Sequence, residues 1–221
     1  MSLPFQNRKD AGRQLVAEIL QRHPEFAALN QGELKVLGLA RGGLPVAAEV
    51  GSALQAALDV IVVRKLGVPL NPEYAFGALA PNNTIYLDHN LVARLSLATN
   101  QVDSVIAEQQ KELARREQLY RAGRETIRVE NAIALLVDDG IATGATMRAA
   151  LLYLRGLKPR RLIVAVPVAP VGIDQELVSA SLADELICPE TPDPFGAVGN
   201  FYEVFPQVSD DEVIGILENQ T

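Results

Sequence analysis

The residues most able to do chemistry lie in one run, Val137-Asp138-Asp139-Gly140-Ile141-Ala142-Thr143-Gly144-Ala145-Thr146-Met147. Gly140 and Gly144 let a backbone turn tightly and approach a ligand. Thr143 and Thr146 supply hydroxyls, and a helix starting here would aim its free N–H groups back at the loop. These parts make a phosphate cradle that needs no lysine. A Walker loop requires Gly-Lys-Ser/Thr, which is absent, and a dinucleotide fingerprint lacks an acidic pair just before its turn. Two carboxylates repel an anion, so they need a reason of their own. One is an adjacent pair of sugar hydroxyls, to which Asp138 and Asp139 can each accept a strong charge-assisted hydrogen bond. The plainer alternative is an acidic strand end that caps the next helix. The spacing to Thr-Gly-Ala-Thr favours a sugar phosphate.

Two further places carry charge at the end of an apolar run. Arg41-Gly42-Gly43 follows Leu34 to Ala40, and its glycines can expose amides beside a fixed cation. An ordinary strand-to-helix turn is the alternative. Arg64 and Lys65 end the run Asp59 to Lys65, read as the second strand. A charge there needs a partner: an anionic ligand, a nearby acid or a surface exit. His23 and His89 fall in a helix end and a turn and read as surface residues. Cys188 sits in an apolar run and reads as a buried, inert thiol.

The elements that position these residues follow from periodicity. Asp10 to His23 has helical spacing, Leu44 to Leu58 is Ala-rich and helix-like, and Thr143 to Leu157 and Val171 to Leu182 predict further helices. Ala132 to Val137, Arg161 to Val168 and Glu185 to Cys188 predict strands, and Ser209 to Leu217 a closing helix. Near-continuous apolar strands alternating with helices imply an α/β fold, doubly wound around a mainly parallel sheet, with ligands outside the carboxyl ends of the strands. Residues 66–131 break the alternation. They hold two short strand candidates, Ala75 to Ala80 and Thr84 to Leu87, and a long amphipathic helix marked by Val102, Ile106, Leu113 and Tyr120. Its apolar side suits core or a subunit contact, and a homodimer is the expected assembly.

The 221 residues, 48 % apolar and without repeats or linkers, predict one domain over 1–221, with an insertion at about 66–131 and a C-terminal hood at about 187–221. A net charge of −7 argues against a nucleic-acid partner. No apolar run spans a bilayer and no signal peptide is evident, so the expected location is cytoplasmic, away from membranes.

Leu136 to Met147 closely resembles the phosphoribosyl pyrophosphate (PRPP) motif of type I phosphoribosyltransferases. LARGGLPVA, VVRKLGVPLNPEYAFGA and the Pro/Phe-rich tail are similar to a bacterial branch of predicted phosphoribosyltransferases with no assigned acceptor. The resemblance implies that Asp138 and Asp139 hold the ribose hydroxyls and that Ala142, Thr143, Gly144, Ala145 and Thr146 hold the 5′-phosphate. It places the pyrophosphate at Arg41 and Gly42, with Arg64 and Lys65 added from the second strand. Catalysis would fall to Asp138, Asp139 and Arg41. Mg²⁺ would arrive on PRPP, with no direct protein ligand, and meet Asp138 or Asp139 through water. The acceptor, a small nitrogen compound such as a nucleobase, would sit under the hood near Phe195 and Tyr202, with Phe201 and Phe205 close by. A small aromatic core fastening the tail is an equal reading of these rings. A lid is expected after Lys65, hinged at Gly67 to Pro72. The alternative function is a PRPP- or nucleotide-binding regulator without turnover, and a third is a hydrolase that uses water as the acceptor.

Overall fold

The computed structural model describes residues 4–30, 32–69 and 71–219, the side chains of 72 and 73 excepted. Five strands form a parallel sheet: β1 (Leu34–Ala40), β2 (Ala57–Val62), β6 (Ile133–Val137), β7 (Arg161–Ala165) and β8 (Glu185–Ile187), in the order β2-β1-β6-β7-β8. Period-2 side chains divide each strand between two cores. Val36, Val60, Leu135 and Ile163 face one, with α1 (Arg8–Arg22), α2 (Gly43–Leu54) and α7 (Asp210–Glu218). Leu37, Ile61, Leu136 and Val164 face the other, with α5 (Ala145–Gly156) and α6 (Ile173–Ser179).

β1 and β6 are neighbours, paired from Leu34↔Ile133 to Gly38↔Val137. The helices that follow them go to opposite faces, α2 to the first core and α5 to the second. Their divergence opens a crevice at the carboxyl ends of β1 and β6, the topological switch point of such a sheet. The fold therefore sets the Arg41 turn and the Asp138 loop side by side.

The insertion forms elements of its own. β3 (Arg64–Val68), β4 (Asn71–Ala80) and β5 (Thr84–Leu87) make a separate antiparallel sheet, and α3 (His89–Arg94) and α4 (Thr99–Arg121) follow. This corrects the expected second strand: β2 stops at Val62, and Arg64 and Lys65 open β3, paired to Leu79 and Ala78. Val62 and Val63 are the last residues of the run buried in the two cores, and the charged pair after them leaves the parallel sheet. Short α3 also escaped the periodicity; Asp88 caps it by accepting from the Leu91 amide at 2.9 Å. No helix among the described residues is long and apolar enough to cross a membrane.

Candidate active site

A cleft of about 680 Å³ lies at the switch point. Arg41 and Gly42 reach it from the β1 turn, Arg64 and Lys65 from β3, and Asp138 to Gly144 with Thr146 from the loop after β6, while the predicted Ala145 is buried and does not line it. Three separate segments of the chain thus meet in one place. The lining carries five basic side chains, Arg8, Arg41, Arg64, Lys65 and Arg116, and three acidic ones, Glu108, Asp138 and Asp139. In a chain of net charge −7, this cleft is locally cationic.

At the loop end the backbone supplies the polar groups. Gly144 caps α5 with φ +76°, a left-handed conformation that favours glycine. Its side has no room either, since an added Cβ would lie 2.5 Å from Arg148 Nη1. The first amides of α5 have no intrahelical partner, and no side chain caps them. They open on the cleft beside Thr143 and Thr146. Arg148, one turn into the helix, donates to the Thr143 carbonyl at 2.9 Å and pairs with Glu176, which fixes the loop from behind.

The acid pair sits between this loop and the α2 terminus. β6 ends at Val137, so the chain leaves regular extension before Asp138 and both acids line the same cleft. Asp138 Oδ1 accepts from the Asp139 amide at 2.8 Å. Asp139 Oδ2 accepts from Arg8 Nε at 2.7 Å, and its carbonyl from the Tyr202 hydroxyl at 2.6 Å. Burial, and then the neighbouring Asp139 charge, push the Asp138 carboxyl well above its ordinary value. Burial also pushes Asp139 up, against the opposing pull of Arg8. Gly42 and Gly43 make this packing possible. A Cβ on Gly42 would overlap the Asp139 carboxylate, and one on Gly43 would lie 2.7 Å from the Asp138 Cα and the Val137 carbonyl.

At the other end the groups are cations. The Ala40–Arg41 peptide is cis, and Arg41 Nη1 pairs with Asp210 Oδ1 at 3.3 Å. Asp210 also accepts from the Tyr120 hydroxyl at 2.6 Å, and that bond, then the cations around it, hold its carboxyl low. Arg64 Nε donates to the neutral Gln109 at 2.9 Å. Burial and then the Arg116 charge push Arg64 down from its ordinary value, so two guanidiniums share this wall. Arg116 is itself bridged to Glu112 at 2.7 Å.

The hood differs from expectation. Phe195 and Tyr202 do not line the cleft; Val198 and Phe205 do. Tyr202 packs at 5.3 Å on Phe5 and 4.7 Å on Phe205, and Phe195 at 5.1 Å on Phe201. Phe5 and the tail are also joined by backbone bonds, Phe5 N to the Phe201 carbonyl and Glu203 N to the Phe5 carbonyl, both 2.8 Å. The two rings fasten the tail to the N-terminal segment, and burying the Tyr202 ring satisfies its hydroxyl on Asp139. His23 is likewise no free surface residue: its ring nitrogens face Glu25 and Glu185 at 3.0 and 2.9 Å. Burial pushes the Cys188 thiol up to about 12, as suits an inert cysteine.

Residues 5–197 match the model of the phosphoribosyl transferase domain. The chain belongs to the phosphoribosyl transferase family. It is 45 % identical over 214 residues, 97 % of its length, to "Putative phosphoribosyl transferase Rv0571c" of Mycobacterium tuberculosis H37Rv, and equally to its counterpart in strain CDC 1551. It spans 46 % of those proteins, about half their length. The crystal structure of TT1426 from Thermus thermophilus is 35 % identical, superposes with a TM-score of 0.77, and is matched over 99 % of this chain and 100 % of that one. The AQ2163 protein of Aquifex aeolicus, at 13 % identity and a TM-score of 0.53 over 87 % of this chain and 78 % of that one, shares the fold. Arg8, Arg116 and Val198 escaped the sequence reading. Each is remote in sequence from the motif, and none carries a local signal.

Proposed function

We propose that this family member transfers ribose 5-phosphate from PRPP to a small nitrogen acceptor, releasing pyrophosphate. One observation carries the reading: a half-buried acid pair stands between a helix-terminal amide cradle and a cluster of arginines, within one cleft. That order matches PRPP group by group, with a phosphomonoester, a diol and a pyrophosphate in sequence. The 5′-phosphate takes the amides of Ala142 to Thr146, the ribose hydroxyls take Asp138 and Asp139, and the pyrophosphate takes Arg41, the Gly42 turn, Arg64 and Lys65.

The bond from the anomeric carbon to the pyrophosphate oxygen breaks as the acceptor nitrogen bonds to that carbon, and the electron pair leaves with pyrophosphate. Arg41, Arg64 and Lys65 stabilise the charge that grows on the leaving group. The carboxylates fix the sugar while positive charge grows on it, and the cradle sets its distance from the cations. Among the described residues, no three His, Cys, Asp or Glu cluster to cage a metal. Asp138 and Asp139 would hold, through water, a magnesium ion carried on the substrate phosphates. When bound, magnesium adds charge neutralisation at the departing pyrophosphate.

The acceptor would enter beside Val198, Phe205 and Gln207, which line the tail end of the cleft. Gly67 of β3 and Pro69 just after it line the cleft and suit the lid; Leu70 and the Pro72 side chain of the expected hinge lie outside the described residues. The test is PRPP consumption across a panel of nucleobases and amines, with release of pyrophosphate as the readout. Pyrophosphate release that depends on one acceptor supports transfer. PRPP binding with no release under any acceptor favours the regulator reading. Release with water alone favours hydrolysis.

A further inference from the structure

Arg8 is the first residue of α1, at the end of a helix where the backbone dipole disfavours a cation. Asn7 holds that terminus in place by accepting from the Asp10 amide at 3.0 Å. The Arg8 side chain leaves the helix and is spent on two distant segments. Nε donates to Asp139 Oδ2 at 2.7 Å, 131 residues away, and Nη1 donates to the Pro206 carbonyl at 2.7 Å, 198 residues away. Its guanidinium carbon lies 3.7 Å from the centre of the Phe205 ring. Both partners of the ion pair are largely covered, at 11 % and 13 % exposure. A covered pair of this kind is weak evidence for stability, because apolar residues of similar volume commonly serve as well. Its geometry has another consequence: with Oδ2 held by Arg8 and the Asp139 carbonyl held by Tyr202, the carboxylate has a single orientation.

We propose that Arg8 is a positioning residue for the ribose site, which holds the Asp139 carboxylate toward the cleft and couples it to the C-terminal segment at Phe205 and Pro206. This rests on the phosphoribosyl reading above. Arg8 then acts through Asp139, and its loss matters only while Asp139 is there to be held.

A double-mutant cycle tests this: PRPP binding by calorimetry to the parent, Arg8→Gln, Asp139→Asn and the double variant, with thermal melting and inorganic phosphate binding measured alongside. Arg8→Gln is expected to weaken PRPP about tenfold or more, while in the Asp139→Asn background the same change is expected to alter it less than about threefold. Arg8→Lys, which keeps the charge, is expected to recover part of the loss while leaving phosphate binding at the cradle intact. Equal factors in both backgrounds would overturn the role, as would a loss in Arg8→Gln that tracks melting and phosphate binding together. If Arg8→Gln fails to fold, the Arg8→Lys pair of the cycle decides in the same way. A parent protein that binds phosphate but not PRPP would instead overturn the phosphoribosyl reading, and this inference with it.

Discussion

The two ends of the cleft present their polar groups by opposite means. The loop after β6 offers amides and hydroxyls on a rigid helix start, all within a few residues of sequence. The far end offers side-chain cations from the turn after β1, from β3 and from α4, and of these Arg41, Arg64 and Arg116 have protein partners in Asp210, Gln109 and Glu112. A fixed amide cradle suits a group that stays bound through the reaction. Paired cations that must exchange partners suit a group that arrives and departs. The acid pair marks the boundary between them.

Removing the cations should have the largest effect and separate the ends cleanly. Arg41→Gln combined with Arg64→Gln deletes two charge-assisted contacts, each worth about 1.5–3 kcal/mol. The expected loss in kcat/KM is about a hundredfold to ten-thousandfold. Phosphate binding to the loop, followed by amide NMR shifts, should not change. Loss at both ends together would show that the ends are not independent.

The boundary comes next. Asp138→Asn and Asp139→Asn should each lower turnover by roughly tenfold to more than a hundredfold, by loss of one charge-assisted bond. Stability should move the other way for Asp138. Its carboxyl is raised in the folded state, so the folded chain holds the proton to higher pH than the unfolded one. The parent is therefore expected to lose stability as pH rises from the ordinary carboxylate range through the raised value, and to stay lower above it. Asp138→Asn should melt higher than the parent at neutral pH and lack this slope. A lower melting temperature at pH 7 would show that the ionised pair is not repulsive.

Much of this comparison was legible in the sequence, and unevenly so. The cradle end was plain because its parts are contiguous: strand, acids, glycines, threonines and the helix start all lie in residues 133–147, and local turn chemistry decides their shape. The parallel sheet was plain for the same reason, as apolar strands of three to seven residues alternate with helices. The cation end was legible as residue types but not as elements. Nothing local says that Val63 is the point where the chain leaves one sheet and Arg64 begins another. Nor does the α4 periodicity tell which of its charges turn inward, so nothing local marks Arg116 for the cleft. The tail is the least legible part. Its aromatics suit a base-stacking hood or a small core equally in composition, and only the pairing of Phe5 with Tyr202 decides where those rings go.

A smaller effect is expected at Gly144, the hinge of the cradle itself. Alanine there must adopt φ +76° and meet Arg148, at a penalty of about 1–2 kcal/mol. Arg148 can yield, but in doing so it releases the Thr143 carbonyl. Phosphate affinity should fall by about three- to tenfold while the pyrophosphate end keeps its affinity, as calorimetry with each anion would show. An equal loss for both anions would mean that the loop sets the shape of the whole cleft.

The smallest effect on turnover should come from the tail, where ring identity matters less than the one polar contact. Tyr202→Phe keeps the packing on Phe5 and Phe205 and removes only the hydroxyl that donates to the Asp139 carbonyl. That carbonyl lies in a partly buried position, so its loss of a donor should lower stability by about 1–2 kcal/mol. Asp139 remains held by Arg8, so turnover should change by less than about threefold. Phe195→Leu removes a ring that packs on Phe201 and does not line the cleft, and it should leave the acceptor KM within about twofold. Phe205→Leu, on a ring that does line the cleft and carries Arg8, should raise that KM more than either. Steady-state kinetics on the three variants at saturating PRPP decide the matter. A rise in acceptor KM for Phe195→Leu that matched Phe205→Leu would return Phe195 to the acceptor site and dissolve the distinction between a fastening ring and a lining one.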